Sequence, residues 1–452
     1  MLGQIHALEL IVPHAATNTD TSNENSEYTH HAGHEKNCYM VFHTSYAENC
    51  YYGYGIKKAK SCIDNHYCHE SELCYECVDV HGCYDLGWCQ DCGNCSASRF
   101  IADCVGCSQC LFCVGLRNKK YCVLNEQLSP EEYAKRLKSL QMGSYAAVQE
   151  LAVRYHQLQL EHTLRALQIE MTEDSLGDHL YRARDAQYCF DSSDIEHSKY
   201  CSQLQLGTRY CHDIYQFGID IELCYDCAQI GYNIYHCQFC YELLQNCSDL
   251  CYCISCSGAK HCFGCVGLKQ ATYCILNRQY TKEEYEALLP KILKKMIADG
   301  EYGEFFPLAL CPSGYNETMA QAWHPKTKKE VMEHGWSWED HLPFTTGKET
   351  LHSLPDVIDD VPDSIVNEVL ACTHCQRNYK IIPQELEFYR QQHYPLPREC
   401  FSCRRERRMQ QRNPRRFWKR PCGKCSREIQ STYSPDRPEK VYCEDCYLKA
   451  IY

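Results

Sequence analysis

The stretch from Cys74 to Cys113 reads CYECVDVHGCYDLGWCQDCGNCSASRFIADCVGCSQCLFC. Its cysteines are separated by three, six or nine residues, so all of them lie on one register of period three. Extending this register in both directions includes every one of the fifteen cysteines from Cys38 to Cys122. The positions between them on the register are small or apolar, except Asn65 and Lys119.

A period of three fits neither an α-helix nor a simple strand. It is typical of short coils that turn one residue in three toward a narrow axis, as solenoids do. The cysteines from Cys189 to Cys274 follow the same register, except Cys251, with one-residue slips near Gly207, Asp220, Asn233 and Leu243. The sequence therefore predicts a mainly β fold: two irregular Cys-lined β-solenoid units separated by helices, followed by two small treble-clef or zinc-ribbon modules.

A duplication supports the two solenoid units. Cys110–Leu137 (CLFCVGLRNKKYCVLNEQLSPEEYAKRL) and Cys262–Leu289 (CFGCVGLKQATYCILNRQYTKEEYEALL) are identical at half of their 28 positions, at a constant offset of 152 residues. Ser129 with Glu132, and Thr281 with Glu284, have the spacing of helix capping boxes. The predicted segments are a flexible lead-in (1–36), solenoid unit 1 (37–128), a helical arm (129–187), solenoid unit 2 (188–280), a helix and connecting segment (281–366), and tandem zinc ribbons (367–452).

Two pairs of C-x2-C motifs lie at the end of the chain. Each motif forms a turn that directs two thiolates at one ion, and two motifs complete a closed tetrahedral site of the structural type. The first pair is separated by 24 residues and the second by 17. The sequence therefore predicts two Zn²⁺ ions, a rubredoxin-like iron site being the competitor. The predicted ligands are Cys372, Cys375, Cys400 and Cys403, and Cys422, Cys425, Cys443 and Cys446.

The cysteines of the solenoid register have two interpretations. Free cysteine is a small, frequently buried side chain that fills a narrow core well. Alternatively, C-x2-C pairs on the register bind further zinc or iron–sulfur clusters. The candidate ligands for such sites are Cys74, Cys77, Cys104, Cys107, Cys110, Cys113, Cys224, Cys227, Cys262 and Cys265.

A basic segment joins the two zinc ribbons. Ten cations lie among the 23 residues from Arg398 to Arg420, with Phe417 and Trp418 between them. Such a segment can bind phosphates and stack a base; the alternatives are a solvated helix face or docking onto the acidic remainder of the chain. The residues predicted to contact RNA or DNA are Arg404, Arg405, Arg407, Arg408, Arg412, Arg415, Arg416, Lys419 and Arg420.

Charge and cysteine content limit the class of protein. The net charge is −13, but residues 371–452 carry +9, which leaves −22 on the remainder. Thirty-eight cysteines indicate either a secreted disulfide scaffold or a metal protein. Met1–Pro13 lacks the basic start and apolar stretch of a signal peptide, and no segment is long and apolar enough to span a membrane. We therefore expect a cytoplasmic protein with reduced cysteines and no membrane partner.

Eight blocks spread over nearly the whole chain are distinctive: NENSEY (23–28), KNCYM (36–40), ELCYEC (72–77), CVGLRNKKYC (113–122), GEFFP (303–307), GYNET (314–318), ELEFYR (385–390) and RNPRRFWKR (412–420). Together they resemble a bacterial family of Cys-rich tandem-unit proteins with C-terminal treble-clef zinc ribbons. The resemblance implies this architecture and its zinc ions, but no particular activity.

Three functions follow as hypotheses. No catalytic triad, P-loop or dinucleotide-binding motif is recognisable, so we expect no enzyme. The first hypothesis is a non-enzymatic zinc scaffold whose basic ribbon tail binds nucleic acid or a ribonucleoprotein. The second is a metal-storage or redox protein that uses the cysteine ladder, with zinc or iron–sulfur clusters. The third is a protein–protein interaction scaffold whose basic tail is docked inside the molecule.

Overall fold

The computed structural model describes residues 1–13 and 22–451, and the chain forms two compact units. Unit 1 contains Met1–Ala15 and Leu167–Glu339, and unit 2 contains Ala16–Ala166 and Asp340–Tyr452. The described residues are mainly β, as the sequence predicts, and none of their helices is long and apolar enough to cross a membrane. Their α-helices are α1 (Leu2–Glu9), α2 (Pro130–Lys138), α3 (Tyr145–Glu161), α4 (Lys282–Asp299), α5 (Met319–Trp323), α6 (Lys328–Glu333), α7 (Pro383–Gln392), α8 (Phe401–Gln411) and α9 (Glu444–Ile451).

The strands are short and numerous. Those of unit 2 up to the first helical segment are β1 (His30–Gly33), β2 (Phe42–Ser45), β3 (His66–His69), β4 (Val78–His81), β5 (Tyr84–Gly87), β6 (Gln90–Gly93), β7 (Ser96–Ala102), β8 (Ser108–Val114), β9 (Lys120–Val123), β10 (Glu126–Gln127) and, after α3, β11 (Thr163–Arg165). Those of unit 1 are β12 (Ile169–Glu170), β13 (Leu176–Tyr181), β14 (Arg184–Ser193), β15 (Ile195–Lys199), β16 (Ser202–Leu204), β17 (Thr208–Arg209), β18 (His212–Glu222), β19 (Tyr225–Ala228), β20 (Gly231–Tyr235), β21 (Gln238–Tyr241), β22 (Ser248–Cys251), β23 (Lys260–Phe263), β24 (Thr272–Ile275) and β25 (Arg278–Gln279). The C-terminal strands are β26 (Leu370–Ala371), β27 (Asn378–Tyr379), β28 (Trp418–Pro421), β29 (Glu428–Ser431) and β30 (Lys440–Tyr442).

Parallel pairing at a constant offset organises unit 2. Lys36 pairs with Glu48, and Glu48 with Lys60, each partner lying twelve positions further along the chain. The strands continue this pattern, since His66 of β3 pairs with Val78 of β4. Nearly every third residue from Asn25 to Asn125 has a positive φ, which bends the backbone at regular intervals.

These bends explain the three-residue register. Asn37 (φ 53°) directly precedes Cys38, and Asn49 (φ 53°) directly precedes Cys50. The residue after each bend faces inward, so one side chain in three is buried. All fifteen cysteines from Cys38 to Cys122 belong to one buried cluster with the apolar residues of the same register. We call this cluster the cysteine core of unit 2.

Unit 1 has its own cysteine core, formed by thirteen of its cysteines from Cys189 to Cys274. The pairing offset there is twelve positions from Gln187 to Lys199, but thirteen from Lys199 to His212 and from His212 to Tyr225. The extra residue in each longer turn is the physical cause of the register slips in this part of the sequence. Cys251, which is off the register, lies outside this core and packs with a different apolar cluster.

The two duplicated blocks have the same local structure. In each, an antiparallel pair of short strands precedes a helix: β9 and β10 before α2, and β24 and β25 before α4. Both predicted capping boxes are confirmed, since Ser129 and Thr281 each bond reciprocally with a glutamate three residues later.

Two expected segments differ from the structure. The expected lead-in contains helix α1, and Glu24 and Glu27 already pair with Lys36 and Tyr39 at the same offset as the residues that follow; residues 14–21 lie outside the described part. The expected helical arm consists of two helices, α2 and α3, and gives way to strands from Thr163 onward. The lead-in differs because residues 26, 29, 32 and 35 continue the inward register. The helical arm ends early because Leu176–Tyr181 pairs with β14.

Candidate metal centres

The first four-cysteine group lies in unit 2. The ligand atoms of Cys372, Cys375, Cys400 and Cys403 all lie within 4.8 Å of one another, and the Sγ atoms of Cys375 and Cys400 are 3.7 Å apart. Cys372 is completely buried, and Cys400 and Cys403 are less than a tenth exposed. The C-x2-C prediction is thus correct in bringing these four side chains together.

The second group repeats this arrangement. Cys422, Cys425, Cys443 and Cys446 also have their ligand atoms within 4.8 Å, and the Sγ atoms of Cys425 and Cys443 are 3.9 Å apart. Cys425 is exposed, so this group lies nearer the surface than the first. Together the groups use eight of the 38 cysteines.

Each group combines a turn with the start of a helix. Cys372 N–H donates to Arg377 O at 2.9 Å, and Cys422 N–H donates to Arg427 O at 2.8 Å, which closes the two turns. The residue that follows the second cysteine of each turn has a positive φ: Gln376 (62°) and Ser426 (58°). The other two cysteines of each group flank or begin a helix, α8 in the first and α9 in the second.

The sulfur geometry fits a tetrahedral ion such as zinc. Zn–S bonds of about 2.3 Å place tetrahedral sulfurs about 3.8 Å apart, and the two measured separations are 3.7 and 3.9 Å. Burial by itself raises the pKa of Cys372, but N–H donors from Cys375, Cys400 and His374 lower it to about 7. Because the thiolate is the form that binds metal, these donors favour the liganding state.

The C-x2-C pairs of the two cysteine cores behave differently. Among the described residues, none of these pairs forms a group of three or more ligands with another such pair. Their thiols instead donate to backbone carbonyls: Cys104 Sγ to Ala102 O at 3.3 Å, and Cys262 Sγ to Lys260 O at 3.3 Å. Cysteines three apart follow successive bends and so face the interior from different sides. One member of these pairs, Cys74, forms a group with Cys62 and Cys68, which belong to no C-x2-C pair.

The basic segment of the sequence is largely buried against unit 2's own acidic residues. Arg404 Nε lies 3.0 Å from Asp64 Oδ2, and Arg404 Nη1 lies 3.4 Å from Glu385 Oε1. These three side chains are at most 2% exposed. The Arg404 guanidinium also lies 4.8 Å from the ring centre of Tyr52, whose hydroxyl donates to Glu385.

Arg408, one helical turn later, extends the same cluster. Its Nη2 lies 2.9 Å from Asp64 Oδ1 and its Nη1 3.3 Å from Glu76 Oε1, and its side chain is 1% exposed. Arg407 contacts Glu76 at 2.9 Å from the more exposed side of α8. Burial raises the pKa of Glu76, but Arg407 and Arg408 outweigh burial and lower it. Burial raises the pKa of Asp64 despite its two arginine partners.

The other predicted nucleic-acid contacts have varied surroundings. Arg412 pairs with Asp79 at 2.7 Å and is 3% exposed. Arg405 lies over the Tyr54 ring, Arg415 donates to the Tyr67 hydroxyl, and Arg420 donates to backbone carbonyls. Arg416 and Lys419 are exposed, and they flank Trp418.

The second four-cysteine group has a matching contact. Tyr447, directly after Cys446, donates a hydrogen bond to Asp103. Arg117 Nη2 lies 2.9 Å from Asp103 Oδ1 and donates to the Tyr447 hydroxyl at 2.7 Å. Burial raises the pKa of Asp103. In both groups, therefore, the residue after the last cysteine bonds a buried aspartate of the Cys-rich part of unit 2.

Sequence reasoning missed Asp64, Glu76 and Asp103 as partners of the C-terminal helices. All three have positive φ and directly precede inward-facing positions of the register. A carboxylate at such a bend was the available signal, but many exposed residues of the register share it.

Comparison with known proteins gives no family assignment. No family model matches the chain, and no curated protein matches it. Among solved structures, the crystal structure of a "putative acetyltransferase" from Desulfovibrio desulfuricans G20 is 8% identical, with 60% of this chain and 81% of that chain covered. Its TM-score of 0.12 carries no argument about fold or activity.

Proposed function

We propose that the protein is a non-enzymatic interaction scaffold in which two structural zinc ions fasten C-terminal helices onto a Cys-lined β-solenoid. The observation that carries this proposal is the position of Arg404. It follows the ligand Cys403 directly, and its guanidinium is buried between Asp64 and Glu385. A metal bound by Cys403 therefore fixes the start of the helix that supplies this ion pair.

The regular pairing supports the solenoid part of the proposal. Parallel partners at a constant offset of twelve positions, with a bend at nearly every third residue, describe a chain that winds around a narrow interior. The shared local structure of the two duplicated blocks supports an internal repeat. Thiols serve such an interior well, because they are small and can still donate weakly to carbonyl oxygens.

The closed ligand sets support a structural role for zinc. Each group supplies four thiols to one position, which leaves no coordination site for a substrate or a reactive water. Catalytic zinc keeps one position open for that purpose. We therefore propose zinc as a fastener in both groups, in a protein that works where thiols stay reduced, such as the cytoplasm.

An exposed aromatic surface in unit 1 supports the interaction role. Tyr188, Tyr200 and Tyr210 are 38%, 50% and 49% exposed. The rings of Tyr188 and Tyr200 are 5.4 Å apart, and His197 stacks on Tyr210 at 5.0 Å. Tyrosine is enriched in protein interfaces, because it combines a large apolar area with a polar tip. We propose this tyrosine surface as the place where a protein partner binds.

Nucleic-acid binding is the second candidate function, supported by fewer cations than the sequence suggests. Because Arg404, Arg408 and Arg412 are held by internal carboxylates, phosphate contacts would fall to the exposed Arg416 and Lys419, beside Trp418. A double variant, Arg416→Ser with Lys419→Ser, then abolishes salt-dependent binding of single-stranded RNA or DNA. Unchanged binding in this variant rules out the site.

Metal counting tests the primary proposal. The full chain, purified under reducing conditions, is expected to carry two zinc ions. Cys403→Ser and Cys446→Ser should each remove one of them. Cys311→Ser is the matched control, because Cys311 lies outside both groups. A chain without zinc, or variants that keep both ions, would overturn the proposal.

A further inference from the structure

Three cysteines of the unit 2 core converge on one point. The Sγ atoms of Cys62 and Cys68 are 4.0 Å apart, and those of Cys62, Cys68 and Cys74 all lie within 4.8 Å of one another. Each of the three residues is 0% exposed. Among the described residues of the two cysteine cores, this is the one set of three thiols with that geometry. We call it the cysteine trio.

The constant pairing offset of unit 2 explains the trio. Cys62 and Cys74 are separated by that same offset, so they occupy equivalent positions in successive turns, next to the paired residues Ile63 and Tyr75. Cys68 lies half a turn from both, and its sulfur reaches across the interior to that of Cys62. At the equivalent place between Cys110 and Cys122, the half-turn position is the apolar Leu116.

A second set of cysteines has the same sequence spacing without the convergence. Cys83, Cys89 and Cys95 are also spaced six positions apart and buried, yet they form no such group. A turn of twelve residues has four inward positions, three residues apart. Cys62, Cys68 and Cys74 use two of these positions, half a turn from each other, and Cys83, Cys89 and Cys95 use the other two. The sequence spacing alone is therefore not sufficient, and this second set provides matched control positions.

The geometry of the trio suits a three-coordinate metal. Metal–sulfur bonds of about 2.3 Å in a trigonal plane place the sulfurs about 4.0 Å apart, which is the Cys62–Cys68 separation. Zinc in structural sites takes four ligands, and the trio offers three. Soft thiolate sites also select Cu(I).

A neighbouring side chain of the same turn holds the backbone around the trio. The nearby Asn65 holds the backbone, since its Nδ2 donates to Cys74 O at 2.8 Å and its Oδ1 accepts from Cys77 N. The trio is thus held in place by its own turn.

We propose that Cys62, Cys68 and Cys74 bind one Cu(I) ion inside the cysteine core of unit 2. Each thiol that coordinates as thiolate releases its proton to solvent, and no change of oxidation state is involved. This site is separate from the two four-cysteine groups. The protein would thus bind zinc with four thiolate ligands and copper with three. Its burial implies that the ion enters during folding or through local opening of the turns.

Anaerobic Cu(I) titration of the zinc-loaded full chain tests the proposal, with the chromogenic chelator bicinchoninate as competitor. We expect one tightly held copper per chain and an unchanged zinc count of two. Cys68→Ser should lose this copper, whereas Cys89→Ser, an equally buried change at a control position, should keep it. Equal binding by Cys68→Ser and wild type, or equal loss in both variants, would overturn the proposal.

X-ray absorption on the copper-loaded wild type supplies a test that depends on no variant. Three sulfur neighbours at about 2.3 Å are expected. Four sulfurs with released zinc would show that copper had entered a four-cysteine group instead, which would also overturn the trio. A zinc count below two before copper is added would contradict the two proposed structural zinc sites, without bearing on the proposed copper site.

Discussion

Arg404 and Asp64 form a buried ion pair, with Nε and Oδ2 3.0 Å apart and side chains 2% and 0% exposed. The two residues are 340 positions apart in the sequence. Cys403, a candidate metal ligand, immediately precedes Arg404 in α8. The first candidate metal group and this buried ion pair are therefore adjacent in the chain.

Replacing Arg404 with methionine should destabilise the protein by about 3–5 kcal/mol, because breaking one partner of a buried ion pair leaves a charge uncompensated. Here Glu385 loses its guanidinium and Asp64 keeps only Arg408. Chemical denaturation of the zinc-loaded chain measures the loss. Lys419→Met is the control, since the pair of Lys419 with Glu428 is about 70% exposed and worth about 1 kcal/mol or less. Similar losses in both variants would show that burial of the Arg404 pair contributes little.

Replacing Tyr447 with phenylalanine should cost about 1–3 kcal/mol, because Asp103 is buried and loses a donor. Arg117 remains as its second partner, which limits the loss. Thermal unfolding of the variant beside Tyr200→Phe, an exposed tyrosine, checks this expectation. If the two variants unfold at the same temperature, the Tyr447 contact is not a stabilising link.

Ser71 tests why the inward register accepts cysteine so often. Its hydroxyl donates to His69 O at 2.7 Å and accepts from Cys83 N at 3.0 Å. Ser71→Ala leaves both groups without this partner and should cost about 1–3 kcal/mol. Ser71→Cys keeps a weak donor and acceptor and should cost less. A higher denaturation midpoint for Ser71→Ala than for Ser71→Cys would contradict this account of the cysteine cores.

Glu35 should make stability depend on pH. Burial, followed by the charge of nearby Cys38, raises its pKa to about 9. The folded state then holds a proton that the unfolded state loses above the ordinary glutamate pKa. Wild-type stability should therefore fall, relative to Glu35→Gln, by about 1.4 kcal/mol per pH unit between about pH 5 and 9.

Denaturation of both proteins at pH 5, 7 and 9 measures this difference. Glu48→Gln, whose side chain is 43% exposed, should follow wild type across the range. A difference between wild type and Glu35→Gln that stays constant with pH would show that Glu35 is ionised in the folded state.

The sequence predicts some features of this fold and not others, for physical reasons. Cys372 and Cys375 could be assigned to one group, because a single C-x2-C turn places its two ligands close together. The three-residue register predicts which cysteines are buried, and it continues through Ser26 and Glu35, where we expected a flexible lead-in. Such a register can be recognised within a short stretch of sequence, without knowledge of the fold.

The environment of the basic segment could not be predicted in the same way. Charge density indicates a surface for phosphate, but Arg404 and Arg408 point at Asp64, which only the folded chain brings near. The cysteine trio was missed for a related reason. Convergence of Cys68 with Cys62 and Cys74 depends on the number of residues in a turn, which the three-residue period leaves open.

Hydrogen exchange on α8 and α9, with and without zinc, tests the central claim most directly. In the zinc-loaded wild type, backbone amides of both helices should be protected. Cys403→Ser should lower protection in α8 around Arg404 and leave α9 protected, whereas Cys446→Ser should do the reverse. Protection of both helices after complete zinc removal, or equal loss in both helices in either variant, would contradict the account.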